Sequence, residues 1–175
     1  MEAINKDKKK WPRWAQWLRD IVLFVIIISA ITAWQSRHML DDDGSVKLEN
    51  KLLPSIEGEF TPLLADDKPT LIYFFAPWCK ICSLSIGNLA YLDTNKVNVV
   101  AVALDYNTNA EVQAFVDEHE VTSTVMLGNN ILKNEFQIQG YPSYYLVDKN
   151  QQVVSRAFGY STAVGLKLRE TFGAL

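Results

Sequence analysis

Cysteine and histidine are scarce: two of each in 175 residues. Two thiols cannot complete a four-ligand zinc site, and His38 and His119 show no metal-ligand spacing to either cysteine. There is no glycine-rich phosphate loop, no His-Glu-x-x-His and no Gly-x-Ser-x-Gly, which removes the phosphate-binding, zinc-peptidase and serine-hydrolase readings those motifs carry. The net charge is only −3, with no basic stripe in the main body, so nucleic acid is not an expected partner. Internal repeats and low-complexity tracts are also missing. Carboxylate pairs such as Asp66-Asp67 and Asp117-Glu118 read as solvated surface.

Both cysteines fall within Trp78-Cys79-Lys80-Ile81-Cys82, directly after the apolar run Leu71 to Ala76. A buried strand that delivers a Cys-x-x-Cys pair to the start of a helix is a redox arrangement. A purely structural bridge across so small a gap would restrict the unfolded chain little.

Charge is unevenly placed along the amino-terminal region. Lys6, Lys8, Lys9, Lys10, Arg13 and Arg19 crowd the beginning, the run from Ile21 to Trp34 carries no charge, and Asp41, Asp42 and Asp43 follow it. Trp11, Trp14, Trp17 and Trp34 flank the run, as expected of aromatic rings at two headgroup layers. The run is short for a span of about 20 apolar residues, a deficit that snorkelling of Arg19 and local thinning can meet. The pattern predicts a cytoplasmic basic segment over 1–16, a transmembrane anchor over 17–36 that contacts the lipid bilayer, and a polar, solvated linker over 37–55. A cleaved secretory signal is the competing reading, but Ile31-Thr32-Ala33 followed by Trp34 is a poor cleavage site. Either export reading places the cysteines where a disulfide persists.

From residue 56 onward strand and helix signals alternate. Strands are expected at Leu71–Ala76, Val97–Leu104, Thr124–Leu127, Ser143–Val147 and Gln152–Phe158, the last two as a hairpin. Helices are expected from Cys79 to about Leu92, from Asn109 to about Glu118 with an asparagine cap, from Ile131 to Phe136, and from a cap at Ser161 or Thr162 to near Phe172. The result is an α/β fold, a mixed central sheet with helices on both faces.

This order resembles the thioredoxin fold over residues 56–175. Trp78-Cys79-x-x-Cys82 matches the family's active-site motif, and Gly140-Tyr141-Pro142 matches its cis-proline loop. With the amino-terminal anchor, the chain is similar to the TlpA/ResA-like membrane-anchored thioredoxin-fold thiol-disulfide oxidoreductases of bacteria. The resemblance implies that Cys79 is the nucleophile, Cys82 the resolving thiol and Pro142 cis, with the Tyr141 backbone receiving the substrate strand and Trp78, Lys80 and Ile81 supporting the site. It implies no cofactor and no metal. Five positions depart from the family's pattern: Ile81 and Gly87 replace prolines, Tyr73 stands where thioredoxins carry a buried aspartate, and Ser85 and Ser143 stand where tethered relatives often carry glutamate. The acids that would take the proton from Cys82 are therefore lacking.

The leading expectation is a periplasmic disulfide reductase on the bacterial inner membrane, single-pass with a cytoplasmic amino terminus. It would act on disulfide-containing client proteins, in cytochrome c or metal-centre maturation, and be recharged by a membrane electron donor of the DsbD or CcdA type. Lys80 supports an alternative, a disulfide-donating oxidase, because a stabilised thiolate makes the disulfide more oxidising. A third reading is a copper-binding thiol module recruiting His119 or Met126.

Overall fold

The computed structural model describes residues 13–172. The chain divides into two units, Met1–Arg37 and His38–Leu175. In the first, helix α1 spans Arg13–Ser36, and its stretch Trp14–Ile31 is long and apolar enough to cross a membrane. The helix starts four residues before the expected span at 17. The Arg19 guanidinium sits 2.9 Å from the Asp20 carboxylate, so these two charges neutralise each other side by side within the helix. The lysine cluster and Trp11 lie outside the described residues.

The second unit is built on a five-stranded sheet in the order β5-β4-β3-β6-β7. Its strands are β3 (Thr70–Phe75), β4 (Asn98–Ala103), β5 (Thr124–Leu127), β6 (Ser143–Val147) and β7 (Val153–Phe158). β3, β4 and β5 run parallel, whereas β6 and β7 are antiparallel to their neighbours. Every residue of β3 and β6 is buried, which is why both read as continuous apolar runs.

Alternation along the strands divides the core into two. Leu71, Tyr73 and Phe75 point to the face covered by Ile86 and Leu89, by Val112 and Phe115 of α3 (Asn109–Glu118), and by Leu166 of α5 (Ala163–Phe172). Ile72 and Phe74 point to the other, covered by Leu132 of α4 (Asn130–Glu135), by Phe136 just beyond it, and by the chain between Met39 and Leu64. That chain includes a small antiparallel ribbon, β1 (Leu52–Pro54) with β2 (Phe60–Pro62).

The segment expected to be a solvated linker over 37–55 is instead largely a packed strap. Met39, Leu40, Leu48 and Leu53 are buried. The Arg156 side chain donates from Nη1 to the carbonyls of Met39 and Leu40 at 2.8 and 2.6 Å. The Leu40 amide donates to Tyr145 Oη at 3.1 Å, and that hydroxyl donates onward to the Phe136 carbonyl at 2.8 Å. Further along, the Gly44 amide bonds to the Val153 carbonyl and Lys47 bridges Gln152 at the outer strand. The triple-aspartate run hid this packing, because the apolar residues that carry it, Met39-Leu40, Leu48 and Leu53, follow no strand or helix period.

The other helices keep their expected places, with local corrections. The cap of α3 is Thr108, whose Oγ1 accepts from the Glu111 amide at 3.3 Å, and Glu111 returns a bond from the Asn107 amide. Asn109 therefore lies inside the helix. The long helix expected from Cys79 to Leu92 is two pieces, α2 (Lys80–Ser85) and a 3-10 helix (Ile86–Tyr91). The change comes where Ser85 Oγ turns back to the Ile81 and Cys82 carbonyls, at 3.0 and 3.4 Å. Such back-bonding by a hydroxyl competes with the regular helical pattern.

Candidate active site

β3 ends at Phe75, and a short turn through Ala76, Pro77 and Trp78 delivers Cys79 to the cap position of α2. Cys79 and Cys82 are joined as a disulfide. The two cysteines differ in access: Cys79 is 8% exposed and Cys82 fully buried. The Cys82 amide N–H donates to Cys79 Sγ at 3.2 Å, a contact made possible by the extended backbone of Cys79 just before the first helical turn. A donor aimed at sulfur stabilises negative charge there.

Hydroxyls, not carboxylates, lie beneath the pair. Tyr73 Oη, fully buried, is 2.9 Å from Ser85 Oγ and donates to the Cys82 carbonyl at 3.3 Å. Burial pushes Tyr73 ionisation far above its ordinary range, with the neighbouring Tyr144 adding to the effect, so Tyr73 is a neutral group at neutral pH. Tyr144 packs edge-on against it, with ring centroids 4.9 Å apart.

The Tyr141–Pro142 peptide bond is cis. The loop that carries it is braced at both ends. Ser143 Oγ donates to the Gly140 carbonyl at 2.8 Å, and the Gly159 amide bonds to the Pro142 carbonyl at 2.8 Å. A Cβ on Gly140 would come within 2.8 Å of the Phe158 ring, so a larger residue here would require that ring to shift.

Trp78 is 63% exposed and meets Tyr141 edge-on, with ring centroids 5.8 Å apart. Its indole N–H donates to the Asp105 carbonyl at 2.8 Å. Asp105 follows β4 with a left-handed φ of 49°, and its carboxylate pairs with Lys133 of α4. The Lys133 ammonium also lies 5.8 Å from the centre of the Tyr141 ring. Burial, then the nearby Asp105 carboxylate, push Tyr141 ionisation well up. Asp105 and Lys133 carry no motif and could not be read from the sequence. Lys80 and Ile81 occupy the first helical turn with exposed side chains. Leu84 on the same short helix is exposed too, giving an apolar rim beside Cys79.

The groups considered for copper are not brought to the thiols. Met126 is buried on the opposite face of the sheet, and the His119 ring packs edge-on against Phe115 at 4.5 Å.

Proteins of known type are similar to this chain. The chain is 24% identical over 145 residues to the thioredoxin-like protein YneN of Bacillus subtilis, covering 77% of this chain and 84% of that protein. It is 28% identical over 126 residues to the thiol-disulfide oxidoreductase YkuV of the same organism, covering 66% of this chain and 82% of that protein. The crystal structure of StoA from Bacillus subtilis superposes with a TM-score of 0.62 at 23% identity, over 69% of this chain and 95% of that one. The expected thioredoxin fold is thereby borne out, and the chain is a thiol-disulfide oxidoreductase with its dithiol at Cys79 and Cys82. Residues 48–164 match the Redoxin model, and the chain belongs to that family.

Proposed function

We propose that the protein is a membrane-tethered disulfide reductase of client proteins outside the cytoplasm, with Cys79 as nucleophile and Cys82 as resolving thiol. The observation that carries this reading is the asymmetry of the pair: the reachable sulfur is also the one that accepts an amide N–H. In the reduced protein, the Cys79 thiolate attacks one sulfur of a client disulfide. A mixed disulfide forms and the first client thiolate departs. Cys82 then loses its proton to solvent and attacks Cys79 Sγ, restoring the Cys79–Cys82 disulfide and expelling the second client thiolate. Two electrons pass to the client, whose two thiolates take up the two protons released by the pair. Among the described residues the groups bonded to the Cys82 carbonyl from below are the Tyr73 and Ser85 hydroxyls, and the proton leaves to solvent without a carboxylate beside them.

The cis Tyr141–Pro142 loop and Trp78 flank the cleft in which an extended client segment lies against the Tyr141 backbone. Helix α1 supports anchoring in the bacterial inner membrane with a cytoplasmic amino terminus and a periplasmic domain. A reductase so placed needs electrons from across the membrane, from a donor of the DsbD or CcdA type. Clients in cytochrome c or metal-centre maturation suit a dedicated, tethered enzyme.

Lys80, exposed beside Cys79, favours the second reading, a disulfide-donating oxidase. The reduction potential of the Cys79–Cys82 pair separates the two. A value near about −270 mV marks a reductase, and one near about −120 mV an oxidant. Cys79→Ser is expected to abolish disulfide reduction by the protein, and retained activity would end the mechanism.

A further inference from the structure

We propose that Asp105 and Lys133 form a positioning pair that holds Trp78 and Tyr141 at a fixed separation beside the disulfide, and that this separation governs how tightly a polypeptide client is held. The inference rests on thiol exchange at Cys79 and adds to it the residues that set the width of the client cleft.

The four residues come from four separate parts of the chain. Trp78 lies in the turn after β3, Asp105 after β4, Lys133 on α4 and Tyr141 in the loop before β6. An indole as exposed as that of Trp78 has little packing to choose its rotamer, and its one hydrogen bond runs to the Asp105 carbonyl. Where Asp105 stands, the indole stands. Asp105 itself occupies left-handed backbone, a conformation that glycine takes without cost and aspartate takes at some expense. The aspartate supplies what glycine would lack, a carboxylate for Lys133. Both side chains of this ion pair are 29% exposed, sheltered enough for the attraction to exceed that of a fully solvated pair. Lys133 in turn faces the Tyr141 ring, at a distance where a cation and an aromatic face attract. The path from Trp78 through Asp105 and Lys133 to Tyr141 closes on the edge-on contact between the two rings. Loss of the ion pair frees both the Asp105 turn and the lysine. The rings then sample several separations, and a client must order them at a cost in binding free energy.

The test uses the full chain in detergent micelles, reduced and freed of reductant, in single-turnover reaction with insulin. For Lys133→Met and Asp105→Asn, the half-saturating insulin concentration is expected to rise about fivefold, while the limiting rate at saturation changes by less than about twofold. Lys133→Arg restores the wild-type value. Asp105→Gly keeps the carbonyl that binds Trp78 and relieves the left-handed strain, so it separates the ion pair from general stability. It is expected to weaken insulin binding as Lys133→Met does, without a lower melting temperature. The change in tryptophan emission on reduction, with Trp78→Phe used to subtract the other indoles, should shrink in the pair variants. Unchanged half-saturation in Lys133→Met and Asp105→Gly would overturn the proposal, as would losses that track melting temperature alone. Failure of the wild-type protein to reduce dithiobis-nitrobenzoate would instead sink the assignment of Cys79.

Discussion

Tyr73 shows how one side chain changes the setting of a redox pair. Its hydroxyl holds the Cys82 carbonyl and Ser85 Oγ at once, deep under the thiols, and it carries no charge to offer. Tyr73→Phe should cost about 1 kcal/mol, because Ser85 keeps its own bonds to the Ile81 and Cys82 carbonyls and is not left unsatisfied. Urea unfolding of the oxidised protein checks the value. The same tyrosine sets a response to alkali. Tyr73 and Tyr144 both have ionisation raised by burial above the ordinary value of 10.0. A raised folded-state pKa means stability that is intact below the unfolded value and lost as pH rises past it. The urea midpoint should therefore fall above about pH 10, and fall less steeply in Tyr73→Phe than in the wild type. An equal slope in both proteins would remove Tyr73 from that account.

Among the elements, those that bury a whole run of side chains were legible from the sequence. β3 and β6 admit no water on either face, so their apolar runs mark them plainly. Helix α2 was legible in its start but not in its end. Its interruption depends on a single serine hydroxyl bonding backward, and serine at that position is equally compatible with a continuing helix. The cap of α3 moved by one residue for a similar reason, since Thr108 and Asn109 are both capping residues and only the backbone chooses. That cap makes its own prediction. Thr108→Ala should lower stability by about 1 kcal/mol. The amide and side chain of Asn107 hold the Glu111 carboxyl below its ordinary pKa of 4.5. Stability from a lowered carboxylate exists above the unfolded value and vanishes as pH falls through the folded one. The difference in melting temperature between wild type and Glu111→Gln should thus be constant near neutrality and close up in acid. The Asp105–Lys133 pair was not legible at all, because its partners sit 28 positions apart and meet only once β4 and α4 have packed.

On the scale of the whole molecule, the folded domain begins at residue 38, well before the expected boundary at 56. Met39 and Leu40 belong to the core beside Tyr145 and Phe136, and their carbonyls are bound by Arg156. Compared with a fragment beginning at His38, one beginning at Ser45 should lose about 3 kcal/mol from the uncovered apolar surface alone, measured by denaturant unfolding. Equal stability would show the strap to be superficial. The strap and the thiols lie on opposite faces of the sheet, with the fully buried strands β3 and β6 between them. Stability and chemistry are thereby addressed from different sides: substitutions at Met39, Leu40 or Leu48 should change how firmly the domain is closed while the sulfur end of the molecule stays as it was.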